Sequence, residues 1–182
     1  MKGTAGFTIV EVLITVTIAA ILAAVAAPGF SELIRDTRFT TEANNMVAAL
    51  NLARSEAAKR GGVARLDSDA ASSVWTGGWT LWVDQDADGA RAGIGTVADI
   101  TDDTETLRVG ERLKSPLTLT ANGNVASVQY QPTGVGEGRT AGNALVAAPY
   151  TFDVCNGEAG VNGRRITIST TGHVTVAGLT CP

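Results

Sequence analysis

Histidine occurs once in 182 residues, at His173. No multi-histidine metal centre and no pair of acid–base histidines can therefore be built from this chain. No Gly-x-Ser-x-Gly elbow surrounds any serine, and one histidine leaves a Ser-His-Asp triad without support. A P-loop that could cradle nucleotide phosphates is also missing. There is no basic excess: 14 Lys and Arg stand against 18 Asp and Glu, a net charge of −4. Dedicated nucleic-acid binders usually carry a surplus of cations. Aromatics make up only 5% of the chain, prolines number 5 and cysteines 2. These absences argue against an enzyme, and no catalytic residue or cofactor is expected. What is abundant is glycine, 21 residues, within a composition 45% hydrophobic. That suits one turn-rich globular part with an appended element.

The appended element is at the N-terminus. Residues 7–27, FTIVEVLITVTIAAILAAVAA, are 21 in number and carry one charge, enough to span a bilayer as a helix. A short leader, residues 1–6, precedes them. Its Lys2 belongs on the cytoplasmic side under the positive-inside rule, which sends the rest of the chain outward. Ala24-Val25-Ala26 resembles a secretory cleavage site. Two features oppose that reading: the apolar run exceeds a usual signal core, and it contains Glu11. A carboxylate in hydrocarbon costs a few kcal/mol, and a disposable peptide gains nothing from it.

Gly6-Phe7-Thr8, with Glu11 four positions after Phe7, resembles the class III signal of type IV pilins and type II secretion pseudopilins. The resemblance implies that a prepilin peptidase cuts between Gly6 and Phe7 and methylates the new N-terminus, making Phe7 N-methylphenylalanine. It gives Glu11 a role in subunit assembly, its charge matched by the N-terminal amine of a neighbouring subunit. A buried ion is tolerable only when paired. Pro28 also fits, since these helices commonly carry a proline near the end of their apolar half.

Beyond Pro28-Gly29 apolar residues return at helical spacing. Phe39, Ala43, Met46, Leu50, Ala53 and Ala57 form one stripe that Val47 widens, with charged residues on the other faces. Gly61-Gly62 after Lys59 and Arg60 is a stop signal. A single helix over 7–60 is predicted, on the order of 80 Å long at 1.5 Å per residue. Its first half is apolar all round and its second is amphipathic, packing one face on a sheet. After it come short strands between Gly, Asn and Asp turns, expected at 63–66, 79–84, 106–109, 117–120, 125–131, 150–155, 165–169 and 173–177. Thr171-Gly172 reads as a tight turn, and 134–142 as a mobile loop. The organisation is thus leader 1–6, membrane and filament-core half-helix 7–27, amphipathic half-helix 28–62 and β-rich domain 63–182. The fold class is α+β.

Within the pilin group, three segments resemble the GspH/FimT/FimU branch of minor pilins: Ala53-Arg54-Ser55-Glu56-Ala57, Gly78-Trp79-Thr80-Leu81-Trp82-Val83-Asp84, and Arg165-Ile166-Thr167-Ile168-Ser169. The resemblance implies a long helix packed on antiparallel sheets. It also implies a single-pass bacterial inner-membrane precursor with its globular domain in the periplasm, which joins a pilus or pseudopilus. The implied partners are a prepilin peptidase, an inner-membrane assembly platform, other minor pilins and the major pilin.

Four further features bear on function. In an exported chain the lone pair Cys155 and Cys181 reads as one disulfide, two buried thiols being the alternative. Asp84-Gln85-Asp86-Ala87-Asp88-Gly89 matches the first half of an EF-hand loop, which makes Asp84, Asp86 and Asp88 a weak calcium candidate. Gly95 occupies the position of the closing glutamate, so an Asx-rich turn is the competing reading. Some members of the branch act as DNA-uptake receptors through a Gly-Arg-x-Arg motif. The matching positions here read Gly172-His173-Val174-Thr175, and nucleic acid is disfavoured as a partner. Trp75, Trp79 and Trp82 read as core or hairpin packing. Three roles stay open in order of preference: a pilus minor pilin that primes assembly, an H-type minor pseudopilin of type II secretion, and a DNA-uptake pilin.

Overall fold

A computed structural model describes residues 8–84 and 105–182, with the side chains of 26–29, 31, 32 and 105 outside that description. The chain divides into two units, Met1–Arg38 and Phe39–Pro182. Helix α1, Ile9–Arg60, contributes to both and passes Pro28 and Gly29 without ending. It stops where the sequence predicts. Gly61 takes φ +72°, the left-handed conformation that suits a residue just past a helix, and its N–H reaches the Ala57 carbonyl at 3.0 Å. In the last turn Arg60 donates to Glu56 at 2.7 Å, and this bond holds the Glu56 carboxyl below its usual range.

Two antiparallel sheets follow. The first has six strands in the order β3-β2-β1-β5-β6-β7: β1 Val63–Ser68, β2 Trp79–Asp84, β3 Glu105–Gly110, β5 Ser127–Tyr130, β6 Gly136–Arg139 and β7 Leu145–Val146. The second has the order β10-β9-β8-β4: β4 Thr118–Ala121, β8 Tyr150–Cys155, β9 Asn162–Ile168 and β10 Val174–Thr180. β1 alternates half-buried and buried residues, as a strand with one covered face should. It sits centrally, pairing Leu66 with Leu81 of β2 on one side and with Val128 of β5 on the other.

The predicted helical stripe is the inner face of α1. Phe39, Ala43, Met46, Leu50, Ala53 and Ala57 are all buried, and Ala49 joins them. They merge with Leu66, Leu81 and Val83 of one sheet and with Phe152, Val154, Ile166 and Ile168 of the other into one core. Residues 134–142, expected as a mobile loop, instead supply β6, whose Val128–Gly138 and Tyr130–Gly136 pairings extend the first sheet. Gly-Glu-Gly-Arg lacks the β-branched and aromatic side chains that announce a strand. The glycines are there for close approach. A Cβ on Gly136 would stand 3.0 Å from the Tyr130 ring, and one on Gly138 would stand 3.1 Å from the Tyr150 ring. The turn before β10 matches its prediction, Gly172 N–H donating to Ser169 O at 2.9 Å.

Those two buried rings are the chain's only tyrosines. Burial pushes the Tyr130 hydroxyl up to about 12, opposed by the Arg54 charge. Burial raises Tyr150 as well, with Tyr130 and Glu137 adding to it. Both folded values lie above the unfolded value near 10. The neutral rings therefore contribute stability that is complete below about pH 10 and is lost as pH rises toward about 12. Denaturation midpoints followed across that window should fall for the native chain and fall less steeply for Tyr130→Phe. Identical slopes would contradict this account.

Candidate assembly site

The described residues of the N-terminal unit present an unusual surface. Ile9, Val10, Leu13, Val16, Ile21 and Leu22 are each at least 60% exposed, on every side of α1. Phe30 and Leu33 continue the exposed apolar face. An apolar surface of this kind marks a protein or membrane contact. Among the described residues no helix is long and apolar enough to cross a membrane. The expected span over 7–27 includes Phe7, which lies outside the described residues, and residues 26 and 27, whose side chains do.

Glu11 is exposed in the first turn of α1, and its backbone N–H donates to Thr8 Oγ1 at 3.2 Å. Thr8 is therefore the N-cap, a structural role beside its place in the Gly6-Phe7-Thr8 signal. The signal was present as Thr8-x-x-Glu11, the spacing of a capping box. The cap gives Glu11 a local reason to be acidic, because a carboxylate in the first turn complements the positive end of the helix dipole. Gly6 and Phe7, the expected processing positions, lie outside the described residues.

The other sequence candidates are placed as follows. Cys155 and Cys181 form a disulfide with Cα atoms 5.9 Å apart, joining the end of β8 to the segment after β10. Asp84 is buried at the end of β2, while Asp86 and Asp88 lie outside the described residues. Among the described residues no group of three or more His, Cys, Asp or Glu could hold a metal. His173 is exposed but stands one residue before β10 rather than on it, its N–H bonded to Ser169 Oγ. Arg165 forms a two-pronged pair with Asp153, both contacts 2.7 Å, which raises the guanidinium pKa. Arg164 bonds Thr40 Oγ1 and the Gly163 carbonyl. The two cations nearest the last hairpin are thus engaged within the protein.

A helix with a largely apolar exposed start interrupted by Glu11, whose second half packs on two antiparallel sheets, is the architecture of the pilin-like class. The pattern of the family described as "Type II transport protein GspH" matches residues 42–172. That of the prokaryotic N-terminal methylation motif matches residues 1–27. The chain belongs to the GspH family. Its fold resembles the type IV minor pilin FimU of Pseudomonas aeruginosa in two crystal forms. In one the TM-score is 0.55 at 19% identity, covering 79% of this chain and 90% of FimU. In the other it is 0.53 at 20% identity, covering 76% and 91%. No curated protein sequence matches significantly.

Proposed function

We propose that this chain is a minor pilin of the type IV pilus that joins other minor pilins to prime assembly. A prepilin peptidase cuts it after Gly6 and methylates Phe7. Before assembly its first helical half, 7–27, spans the inner membrane with Lys2 inside and the β-rich domain in the periplasm. Its similarity to FimU carries this reading. The late disulfide supports it, because a subunit exposed at a pilus tip gains from a fastened domain. Glu11 supplies the axial register. Set among apolar residues, it is stabilised when the amine created by cleavage of a neighbouring subunit lies against it.

The description of the GspH family favours a second reading, an H-type minor pseudopilin of a type II secretion system. Processing and fold would be the same, and the filament would be periplasmic.

A deletion strain separates the two. Lost twitching with normal exoprotein secretion is expected, and the reverse would replace the first reading with the second. Complementation with Glu11→Ala should restore a processed subunit whose incorporation into the filament is reduced roughly tenfold or more. Incorporation at the native level would sink the assigned role of Glu11.

A further inference from the structure

Arg54 differs from the other half-buried arginines. Arg60 holds Glu56, Arg139 holds Glu137, Arg165 holds Asp153, and Arg164 reaches Thr40 and Gly163 O. Arg54 is also half-buried, yet it makes no hydrogen bond or ion pair among the described residues. Taking a guanidinium partly out of water without a counter-charge is unfavourable, and the other arginines offset that cost with partners.

The setting holds the Arg54 group in place. A turn between β5 and β6 is closed by Gly134 N–H donating to Gln131 O at 2.8 Å. Gly134 takes φ +82°, and a Cβ there would stand 3.1 Å from Arg54 Nε. The guanidinium therefore lies against the turn, where a side chain at position 134 would crowd it. Beside it is a cleft of about 390 Å³ between Asn51, Arg54 and Ala58 of α1 and Pro132 and Thr133 of the turn. No acidic residue lines it. The Asn51 amide and Thr133 hydroxyl have no hydrogen-bond partner among the described residues, so two more donors accompany the cation at the cleft.

We propose that this cleft is a carboxylate-binding site anchored by Arg54. The planar guanidinium fork matches a carboxylate two-for-two, which no single hydroxyl or amide can do. The cleft exceeds the size of a bare carboxylate, and Ala58 and Pro132 give it apolar walls. Its ligand is therefore an acid on a short aliphatic stem. An acidic side chain of a neighbouring subunit and a soluble aliphatic acid share that chemistry.

The test uses the full chain in detergent micelles, isotope-labelled at arginine Nε and titrated with sodium propionate against sodium chloride at equal ionic strength. One arginine resonance should shift saturably with propionate alone. Arg54→Gln should abolish that shift or weaken binding about tenfold or more, and Arg54→Lys should retain a weaker response, since a point charge lacks the fork. The absence of any saturable, Arg54-dependent shift overturns the proposal. A second arm, which rests on the filament reading while the first does not, places Arg54→Gln in the deletion strain. Reduced filament incorporation at an unchanged subunit level identifies the acid as a neighbour's side chain. Full incorporation alongside saturable binding identifies it as a soluble acid. Reduced incorporation with no propionate shift overturns the carboxylate site, whatever filament the subunit serves.

Discussion

Replacing Trp75 with alanine is expected to cost about 4 kcal/mol of folding free energy and to lower the melting temperature by roughly 10 °C. The size of the effect follows from where this side chain lies. Trp75 is fully buried on the connection between β1 and β2 of the first sheet, where that connection lies against β4 of the second. Its backbone N–H bonds Leu119 O of β4 at 2.8 Å, and the neighbouring Val74 bridges Thr120. The indole N–H donates to Val125 O at 2.9 Å, just before β5. The ring meets Phe152 of β8 edge-on, 5.0 Å between centroids. One side chain therefore touches both sheets, and its removal leaves a cavity between them. Trp75→Phe keeps a ring near Phe152 but strands the Val125 carbonyl, so about 2 kcal/mol is expected. Chemical denaturation of the three proteins measures both values. A loss below about 1 kcal/mol for Trp75→Ala would show that the sheets close up without the indole.

The second large effect concerns Cys155 and Cys181, 26 residues apart. Closing a loop of that length restricts the unfolded chain by about 3.5 kcal/mol. Cys155→Ala with Cys181→Ala, or reduction of the native chain, should lower stability by roughly 3 kcal/mol. The loss should also be uneven. β10 is an edge strand whose residues are all exposed or half-exposed, so little besides its pairing with β9 holds it. Amide exchange over Val174–Thr180 should accelerate far more than exchange in β1, which is paired on both sides. An unchanged denaturation midpoint, or a uniform rise in exchange, would contradict the role given to the bond.

Helix α1 was legible because its determinants are local. The spacing of Phe39, Ala43, Met46, Leu50, Ala53 and Ala57 names the buried face, and Gly61 names the stop. Several strands were legible for a similar reason: 79–84 and 150–155 set aromatic and β-branched residues between turn residues, the latter alternating with Thr151 and Asp153. β6 was not, because its glycines answer to Tyr130 and Tyr150, which only the folded chain brings near. The division into two sheets was also hidden, since it depends on β1 pairing with β5 across the intervening β2, β3 and β4. Trp75 read as core or hairpin packing, and it lies in the core. Nothing in its sequence neighbourhood says that it joins two sheets. Arg54 read as one more charge on the polar side of a helix, and its isolation emerges only when Gly134 arrives beside it. At the assembly site, Glu11 stood out as a lone charge in an apolar run. The Thr8 cap beneath it was legible too, in its spacing.

The placement of the three tryptophans has a consequence for how unfolding would be observed. Trp75, Trp79 and Trp82 all lie on β2 or the connection into it, and all are buried. Intrinsic fluorescence therefore reports on β2 and, through Trp75, on its contact with β4 and Phe152 of β8, while no tryptophan lies on β9 or β10. Thiol accessibility at Cys155 and Cys181 after partial reduction reports on the end of β8 and the segment after β10. The two signals form an internal pair of clocks: if they keep the same time during denaturation the domain melts as one body, and a lag between them measures how long the fastened C-terminal edge can part from the rest.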